Sequence, residues 1–289
     1  MSKVVSIVVV AKGIKDYLKS CLESIKTQTH LEFETIIIDN SKTNLFYCAA
    51  LNKGIKQSKG DFILCLNDDV VLDKRFIQEA LRGFFINTKI GMVSGKILRS
   101  DGVIIDSAGL FLSPWRTAKE RGYGLKDKGQ FEKEGYVFGV NGAAAFYRRE
   151  MLEGISQDGN YFDEDFHIFY EDLDIAWRAQ RKGWRAYYVP KAIAYHVRGG
   201  TVRNIKGINR SYARRYINNE NLSFHLFKNR YLALIKNESF FDFLLHLPFI
   251  FFYDFLIWSY VLLFRPRLIR RFFCDFHYCQ SAFRKRKTY

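Results

Sequence analysis

The chain has 289 residues, enough for one large domain or for one domain with an appendage. Its hydrophobic content of 48% and its four prolines exclude a largely disordered chain. The formal net charge of +15 is uneven, because residues 201–289 carry 16 basic and 5 acidic residues. Such a block favours contact with nucleic acid, with an anionic membrane surface or with phosphate groups.

The cysteines and the N-terminus bear on the compartment. The five cysteines form no C-x-x-C pair, and Cys48 and Cys65 lie in apolar or helical surroundings. This pattern predicts buried free thiols, which fits a reducing compartment. The N-terminal run MSKVVSIVVV is short and has no small-residue cleavage site. We therefore expect it to enter a strand directly and not to act as a signal peptide.

The first 70 residues alternate between apolar strands and helical patterns. Strands are predicted at Val4–Val10, Glu34–Asp39 and Phe62–Leu66, with helices from Asp16 and over Leu45–Lys56. This order predicts a parallel α/β nucleotide-binding half. No G-x-G-x-x-G follows the first strand and no G-K-[ST] loop is present, which excludes the common dinucleotide-binding and P-loop classes.

The third strand ends in Asn67-Asp68-Asp69. Open parallel sheets bind ligands at the carboxyl ends of their strands. Two adjacent acids there repel each other unless a cation offsets their charge. Oxygen ligands of this kind suit Mg²⁺ or Mn²⁺, usually shared with substrate phosphates. The alternative is a solvated turn after the strand, since Asn and Asp also favour turns.

The middle of the chain is less regular. A helix is predicted over Arg75–Asn87, a strand over Ile90–Leu98 and part of a hairpin over Val103–Gly109. Pro114–Gly135 lacks clear periodicity and is interpreted as a functional loop or lid. The small residues within 140–146 either let the backbone approach a ligand or allow tight packing of a strand on a helix.

A second group of acids lies within Tyr161–Lys182. Glu171, Asp172 and Asp174 fall in the first turn of a predicted helix, where acids also stabilise the helix end. The aromatic residues just before them indicate a partly apolar pocket, in which a carboxylate can serve as a general base. Arg178 follows Asp174 by one helical turn, which predicts an internal ion pair.

Two further strands are predicted at Arg185–Val189 and Ala192–His196, separated by Pro190. His196 ends the second of them. A lone strand histidine is often structural. Because the chain already indicates a metal, a ligand role for His196 stays open beside that interpretation.

The C-terminal third is basic and aromatic. Ile208–Leu234 is predicted to be helical, and Phe240–Phe264 is apolar enough to span a bilayer but is interrupted by Asp242 and Asp254. Arginines follow it, so we favour helices lying in the membrane surface on anionic lipid. A hairpin through the membrane or a homo-oligomer interface are the alternatives. No nucleic-acid motif supports nucleic-acid binding.

The ordered motifs resemble glycosyltransferase family 2, and within it the bacterial rhamnosyltransferase-type members. The resemblance covers most of residues 4–200 and rests on SIVVV, IIIDNS, the NKG before SKGDFILCLNDD, the AG at Ala108-Gly109, RGYGLKDKGQF, NGAAAFYRREML, FDEDFHIFYEDLDIAWRAQRKGW and YVPKAIAYH. It implies an α/β fold of the GT-A type, with a Rossmann-like mixed central sheet flanked by helices. Residues 1–205 would form that domain and residues 206–289 a helical, membrane-associating extension.

The resemblance also implies roles for individual residues. Asn67-Asp68-Asp69 takes the place of the family's D-x-D motif, and Asp172 matches the catalytic base, with Glu171 as its neighbour in the acidic pair. The implied metal ligands are Asp69, His196 and Asn67. The implied nucleotide-sugar contacts are Val10, Ala11, Asp39, Asn52, Asp68, Gly142 and Ala143.

The implied activity is inverting, metal-dependent hexosyl transfer with Mg²⁺ or Mn²⁺. L-rhamnose from dTDP-rhamnose is the first candidate donor, and a lipid-linked saccharide in cell-envelope polysaccharide assembly, of the O-antigen or capsule kind, is the implied acceptor. The enzyme would be cytoplasmic and peripherally attached to the inner face of the cell membrane. The alternatives are a UDP-sugar-dependent transferase of the same fold, a nucleotide-sugar hydrolase and a noncatalytic nucleotide-sugar-binding module.

Overall fold

The computed structural model describes residues 4–11, 13, 15–43, 45–197 and 219–286. The strands are β1 (Val5–Ala11), β2 (Phe33–Asp39), β3 (Phe62–Asn67), β4 (Val70–Leu72), β5 (Ile90–Arg99), β6 (Ile105–Ser107), β7 (Leu110–Leu112), β8 (Ala118–Glu120), β9 (Gly135–Val137), β10 (Ala144–Arg148) and β11 (Arg185–His196). The helices are α1 (Lys15–Lys26), α2 (Asn40–Thr43), α3 (Tyr47–Gln57), α4 (Phe76–Phe84), α5 (Arg149–Gly154), α6 (Glu171–Arg181), α7 (Glu220–Asn237), α8 (Phe240–Phe264), α9 (Pro266–Cys274) and α10 (His277–Arg286).

One mixed sheet organises the N-terminal part of the chain. Its order is β2-β1-β3-β10-β5-β11-β4, with β6 added beside β5 and β9 beside β11. β1 pairs in parallel with β2 and β3, which confirms the predicted β-α-β-α-β half. β10 then pairs antiparallel with both β3 and β5, so the sheet is mixed.

The first strand sits at the centre of this half because its side chains suit burial on both faces. All seven residues of β1 are buried, and Val8, Val9 and Val10 are β-branched. In the sheet register, Ala11 lies beside Asp39 of β2, and Val10 lies beside Asn67 of β3. The carboxyl ends of the three strands therefore meet at one edge of the sheet.

Helix α3 packs very closely on the sheet. An added Cβ at Gly54 would lie 2.3 Å from Cγ1 of Val8 in β1, so glycine is needed at this point of contact. The cysteines of the core agree with the prediction, since Cys48 and Cys65 are buried free thiols.

The predicted ion pair between Asp174 and Arg178 is confirmed. Arg178 Nε lies 2.8 Å from Asp174 Oδ2, and both side chains are buried. The remaining guanidinium nitrogens donate to the carbonyls of Ile155 and Tyr161, each at 2.7 Å. This satisfied cluster anchors α6 to the segment before it, and α6 begins with the predicted acids.

Two sequence predictions are wrong in detail. Arg185–Val189 and Ala192–His196 form one strand, β11, whose register with β5 shifts between Val189 and Ile193. This irregularity accommodates Pro190, which cannot donate to the ladder. Pro114–Gly135, where no strand was predicted, contains β8, which pairs with β7, and its role as a functional loop or lid stays a prediction. Strands of three residues are too short to show an alternating pattern.

The structure divides into two compact units. The first comprises residues 1–111, 119–167 and 171–198, and the second comprises residues 112–118, 168–170 and 199–289. The predicted domain boundary at residue 205 lies outside the described residues. The same holds for the beginning of the helix predicted at Ile208–Leu234, and the described part of that region is α7.

The helices of the second unit are linked by ion pairs of buried arginines. α8 is one continuous helix of 25 residues with Pro248 inside it. Nη2 of Arg230 in α7 lies 2.9 Å from Oδ1 of Asp254 in α8, and Nε of Arg116 lies 2.6 Å from Oε2 of Glu238. One of the acids that interrupts the apolar segment is thus paired within the unit.

Candidate active site

The edge formed by β1, β2 and β3 carries the residues predicted to contact the nucleotide. Val10 and Ala11 are 1% and 2% exposed, so both residues are buried at the carboxyl end of β1. Asp39 is exposed at the end of β2, and its Oδ1 accepts a hydrogen bond of 3.0 Å from the Ser41 amide. The structure brings these three residues together, and their contact with a nucleotide stays a prediction.

The end of β3 is strongly acidic. Asp68 and Asp69 are 3% and 7% exposed. Burial, with the charges of Asp68 and Asp69, raises the pKa of the nearby Cys21 thiol to about 12. The two adjacent carboxylates make this end of β3 negative, as the sequence predicts, and a cation would offset their charge.

His196, from the end of β11, meets the end of β3 at Asp69. Its Nε2 lies 3.2 Å from Asp69 Oδ1, and its Nδ1 lies 2.9 Å from Oδ2 of the buried Asp106. Burial lowers the pKa of His196, but the hydrogen bonds with Asp106 and Asp69 outweigh burial and hold this pKa above its ordinary value. The imidazole is therefore fixed between two carboxylates.

Asp69 and His196 offer a carboxylate oxygen and an imidazole nitrogen, a donor pair that suits Mn²⁺ or Mg²⁺. In the tautomer that donates Nδ1–H to Asp106, Nε2 has a lone pair for a metal. No group of three or more His, Cys, Asp or Glu side chains is arranged for a metal within the described ranges. The pair fits a metal whose other ligands come from a substrate diphosphate and water.

The predicted third metal ligand, Asn67, has other contacts. Its side-chain Oδ1 accepts a hydrogen bond of 2.7 Å from the Tyr47 hydroxyl, and its backbone N–H donates to the Ala143 carbonyl at 3.0 Å. These bonds fix the first position of the acidic motif. Its metal contact stays a prediction.

Asp172 lies at the start of α6 and is half-buried. Its Oδ1 accepts from the Leu173 amide at 2.7 Å, and its Oδ2 accepts from the Gly142 amide at 3.4 Å. Burial raises the pKa of Asp172, while these backbone hydrogen bonds lower it. Glu171 is less accessible, at 9% exposure. Of the two acids, Asp172 is the one better placed to reach a substrate.

A turn at residues 141–143 connects the two acidic ends of the site. Gly142 donates its N–H to Asp172, and the next residue, Ala143, accepts from the Asn67 amide. The Tyr47 hydroxyl lies 3.2 Å from the Gly142 carbonyl. The small residues of this turn therefore allow its backbone to contact the backbone of Asn67 and the carboxylate of Asp172. Their contact with the nucleotide sugar stays a prediction.

Asn52 is placed differently from the other predicted site residues. Its side chain is 1% exposed and bonds the segment at 161–164. Nδ2 donates to the Phe162 carbonyl at 2.8 Å and to Glu164 Oε1 at 3.0 Å, while Oδ1 accepts from the amides of Tyr161 and Phe162. These contacts show Asn52 holding a loop, and its predicted contact with the nucleotide sugar stays a prediction.

A model of the family described as "Glycosyltransferase like family 2" matches residues 47–218, more than half of the chain. The chain belongs to this family. The match includes the acidic end of β3, the turn at 141–143, the start of α6 and His196, whereas Val10, Ala11 and Asp39 precede the matched residues.

Two relatives match this chain over part of their own length. The poly-beta-1,6-N-acetyl-D-glucosamine synthases of Staphylococcus aureus (strain COL) and Staphylococcus epidermidis are 22% identical over 191 residues, 65% of this chain. The chain spans about two fifths of their length, since the match covers 42% of each.

Among solved structures, the chain is similar to the mannosyltransferase PcManGT from Pyrobaculum calidifontis in complex with GDP-Man and Mn²⁺. The TM-score is 0.53 at 14% identity, covering 98% of this chain and 86% of that one. It is also similar to GalNAc-T7 with UDP, GalNAc and Mn²⁺, with a TM-score of 0.55 at 13% identity, covering 81% and 48%. This likeness confirms the GT-A fold.

Three residues of the candidate site were not predicted from the sequence. Asp106 bonds His196, the Tyr47 hydroxyl contacts Asn67, and Glu120 bonds the side chain of Asn141 at 2.7 Å. Of the three, Asp106 could have been noticed from the sequence. It follows two isoleucines, which predicts burial, and a buried carboxyl requires a hydrogen-bond partner.

Proposed function

We propose that this chain is an inverting glycosyltransferase that moves a sugar from a nucleoside diphosphate to an acceptor hydroxyl. One observation carries this proposal. In the turn at 141–143, the Ala143 carbonyl accepts a hydrogen bond from the backbone N–H of Asn67 at the end of β3, and the Gly142 N–H donates to the Asp172 carboxylate. A diphosphate-binding strand end and a candidate base thus share one rigid support, as a reaction between a bound donor and an acceptor requires.

Asp172 has the properties of the base. Its raised pKa, caused by burial, makes the carboxylate a better proton acceptor while its half-exposed position leaves it open to substrate. In the proposed step Asp172 takes the proton of the acceptor hydroxyl. The acceptor oxygen then bonds the anomeric carbon as the bond to the diphosphate breaks, and the configuration is inverted. The oxocarbenium-like character resembles that of glycoside hydrolysis.

The donor diphosphate is assigned to the end of β3. Asp69 and His196 would hold Mg²⁺ or Mn²⁺, which when bound offsets the charge of the leaving diphosphate. Asp106 keeps the imidazole of His196 in its orientation through the 2.9 Å hydrogen bond. Val10, Ala11 and Asp39 would line the base at the neighbouring strand ends.

The donor sugar is the finer part of the proposal. The motif resemblance makes dTDP-L-rhamnose our first candidate. UDP-N-acetylglucosamine is the second, favoured by the names of the staphylococcal relatives. The proposed acceptor is a lipid-linked saccharide in cell-envelope polysaccharide assembly.

Attachment to a membrane surface is proposed for the second unit. α8 is the one described helix that is long and apolar enough to cross a bilayer, and many of its large side chains are exposed, such as Phe241 at 82% and Leu263 at 72%. The exposed Arg267 follows in α9, whose sequence PRLIRRFFC alternates basic and apolar groups. An interfacial helix flanked by arginines suits an anionic lipid surface on the cytoplasmic side.

A donor panel tests the enzymatic proposal. Purified protein is incubated with dTDP-rhamnose, UDP-GlcNAc, UDP-galactose and GDP-mannose in Mn²⁺, with and without lipid-linked acceptor. We expect acceptor-dependent release of nucleoside diphosphate from one donor, and a product of inverted anomeric configuration by NMR. Release that does not depend on acceptor would favour hydrolysis, and donor binding without turnover would favour a noncatalytic module.

Vesicle flotation tests the membrane proposal. The full chain should float with vesicles containing phosphatidylglycerol, and a chain lacking residues 239–289 should not. High salt should release the full chain only in part, because apolar burial is not screened as surface charge is. Equal flotation of the truncated chain would place the attachment elsewhere.

A further inference from the structure

Glu120 is a carboxylate near Asp172 that the proposed reaction does not use. It ends β8 and is half-buried. Its Oε1 accepts from Asn141 Nδ2 at 2.7 Å, and its Oε2 is hydrogen-bonded to the Ser107 hydroxyl. Both partners are uncharged. The guanidinium of neighbouring Arg121 donates instead to the Ala108 carbonyl at 2.8 Å.

Through Asn141, Glu120 reaches the turn that supports the base. Asn141 uses its Nδ2 on Glu120 and its Oδ1 on the amide of Ala143, at 2.8 Å. These two bonds fix the side chain at both ends. Gly142, between them, is therefore held with its N–H directed at Asp172.

The charges around Glu120 are negative. Burial, with the charges of Asp172 and Asp106, raises the pKa of Glu120 to about 8, against the hydrogen bonds from Ser107 and Asn141, which lower it. Asp106 lies on β6, where it bonds His196, and Asp172 lies on α6. Arg121 packs its guanidinium 4.4 Å from the ring centroid of Tyr188. Two neighbouring carboxyls in such a site retain one proton at neutral pH.

The hydrogen bonds decide which carboxyl keeps the proton. Asp172 accepts two backbone N–H bonds, which favour its ionised form. Glu120 has one amide donor and one hydroxyl partner, and the hydroxyl oxygen of Ser107 can accept a hydrogen bond from a neutral carboxyl, which keeps its proton. The ionised form therefore belongs on Asp172.

We propose that Glu120 is a positioning residue that keeps a proton while Asp172 acts as the base. Neutral Glu120 holds Asn141 and donates to Ser107, and it leaves Asp172 as the only ionised member of the pair. This role rests on the proposed function of Asp172. When Glu120 ionises at high pH, a second negative charge is added beside the base and opposes binding of the anionic donor.

The test compares the full-length parent with Glu120→Gln and Glu120→Ala between pH 6 and 10. Gln reproduces the neutral carboxyl, since its Oε1 can accept from Asn141 and its Nε2 can donate to Ser107. Turnover and the KM for the donor are measured for each chain, together with donor binding in Mn²⁺ by calorimetry.

In the parent, the KM for the donor should rise above about pH 8, up to tenfold per pH unit, as expected for loss of one proton. Glu120→Ala should lower turnover at least tenfold throughout, because Asn141 loses its partner. Glu120→Gln should restore turnover at pH 7 to within about threefold and should abolish the alkaline rise in KM. Identical pH profiles in the parent and Glu120→Gln, or an inactive Glu120→Gln, would overturn the proposal.

Urea unfolding gives a readout that does not depend on catalysis. Folding raises the pKa of the Glu120 carboxyl to about 8. As the pH rises from the pKa of this group in the unfolded chain towards about 8, the unfolded chain releases the proton first, and the free energy of unfolding of the protein falls. Glu120→Gln lacks this loss, so its midpoint should move upward relative to the parent between pH 5 and 8. A constant difference across this range would refute the proposal even if no donor is ever transferred.

Discussion

Substitution of Asn52 by alanine separates a structural role from a ligand-binding role. The change removes three hydrogen bonds to backbone groups, the Phe162 carbonyl and the amides of Tyr161 and Phe162. A net value of about 1 kcal/mol for each bond gives a loss of about 3 kcal/mol in the free energy of unfolding. With a urea m-value of about 3 kcal/mol/M, the midpoint should fall by about 1 M at unchanged slope.

The matched control is Asn160→Ala, which removes one exposed hydrogen bond from Lys56. It should change the free energy of unfolding by less than about 0.5 kcal/mol. Donor binding of Asn52→Ala is measured in parallel, below the unfolding transition. A stability change no larger than that of the control, combined with a large loss of donor affinity, would refute the structural role of Asn52 and support its direct contact with the nucleotide sugar.

The remaining predictions concern packing, the metal and the buried ion pair. Gly54→Ala should lower the free energy of unfolding by about 1–3 kcal/mol in urea, because the added Cβ would clash with β1. Gly135→Ala is the control and should leave it nearly unchanged, since an added Cβ there meets nothing within 4 Å. Equal effects of the two substitutions would contradict the close packing at Gly54. Asp106→Asn should weaken Mn²⁺ affinity about 10–100-fold in donor-binding titrations, and unchanged affinity would remove it from the metal site. Arg178→Met should destabilise by about 3–5 kcal/mol because it leaves Asp174 buried without its cation, and a loss below 1 kcal/mol would show that the pair contributes little.

Local sequence pattern was sufficient for the parts of the fold that repeat a simple physical rule. β-Branched runs located β1 and β2, and the rule that parallel strands carry ligands at their carboxyl ends placed Asp39 and Asn67 at one edge. Helical spacing likewise gave the Asp174–Arg178 pair. These features depend on neighbours in sequence or on strand polarity alone.

The missed features depend on tertiary contacts between distant residues. Asp106 meets His196 across 90 positions, and Asn52 meets Phe162 across 110. No periodicity encodes such a distance, so Asp106 could be recognised only as a buried acid without a known partner. Glu120 was hidden for another reason, because the three residues of β8 are too few to reveal a strand.

The base assignment is tested most directly by Asp172→Asn, with turnover and donor affinity measured on the same preparation. Asparagine keeps the size of the side chain but cannot take the acceptor proton. Turnover should fall by roughly 10²–10⁴, while donor affinity stays within about threefold of the parent. Glu171→Gln serves as the neighbouring control and should retain turnover within about tenfold. Near-parental turnover in Asp172→Asn, or loss of turnover in Glu171→Gln alone, would contradict the assignment of Asp172 as the catalytic base.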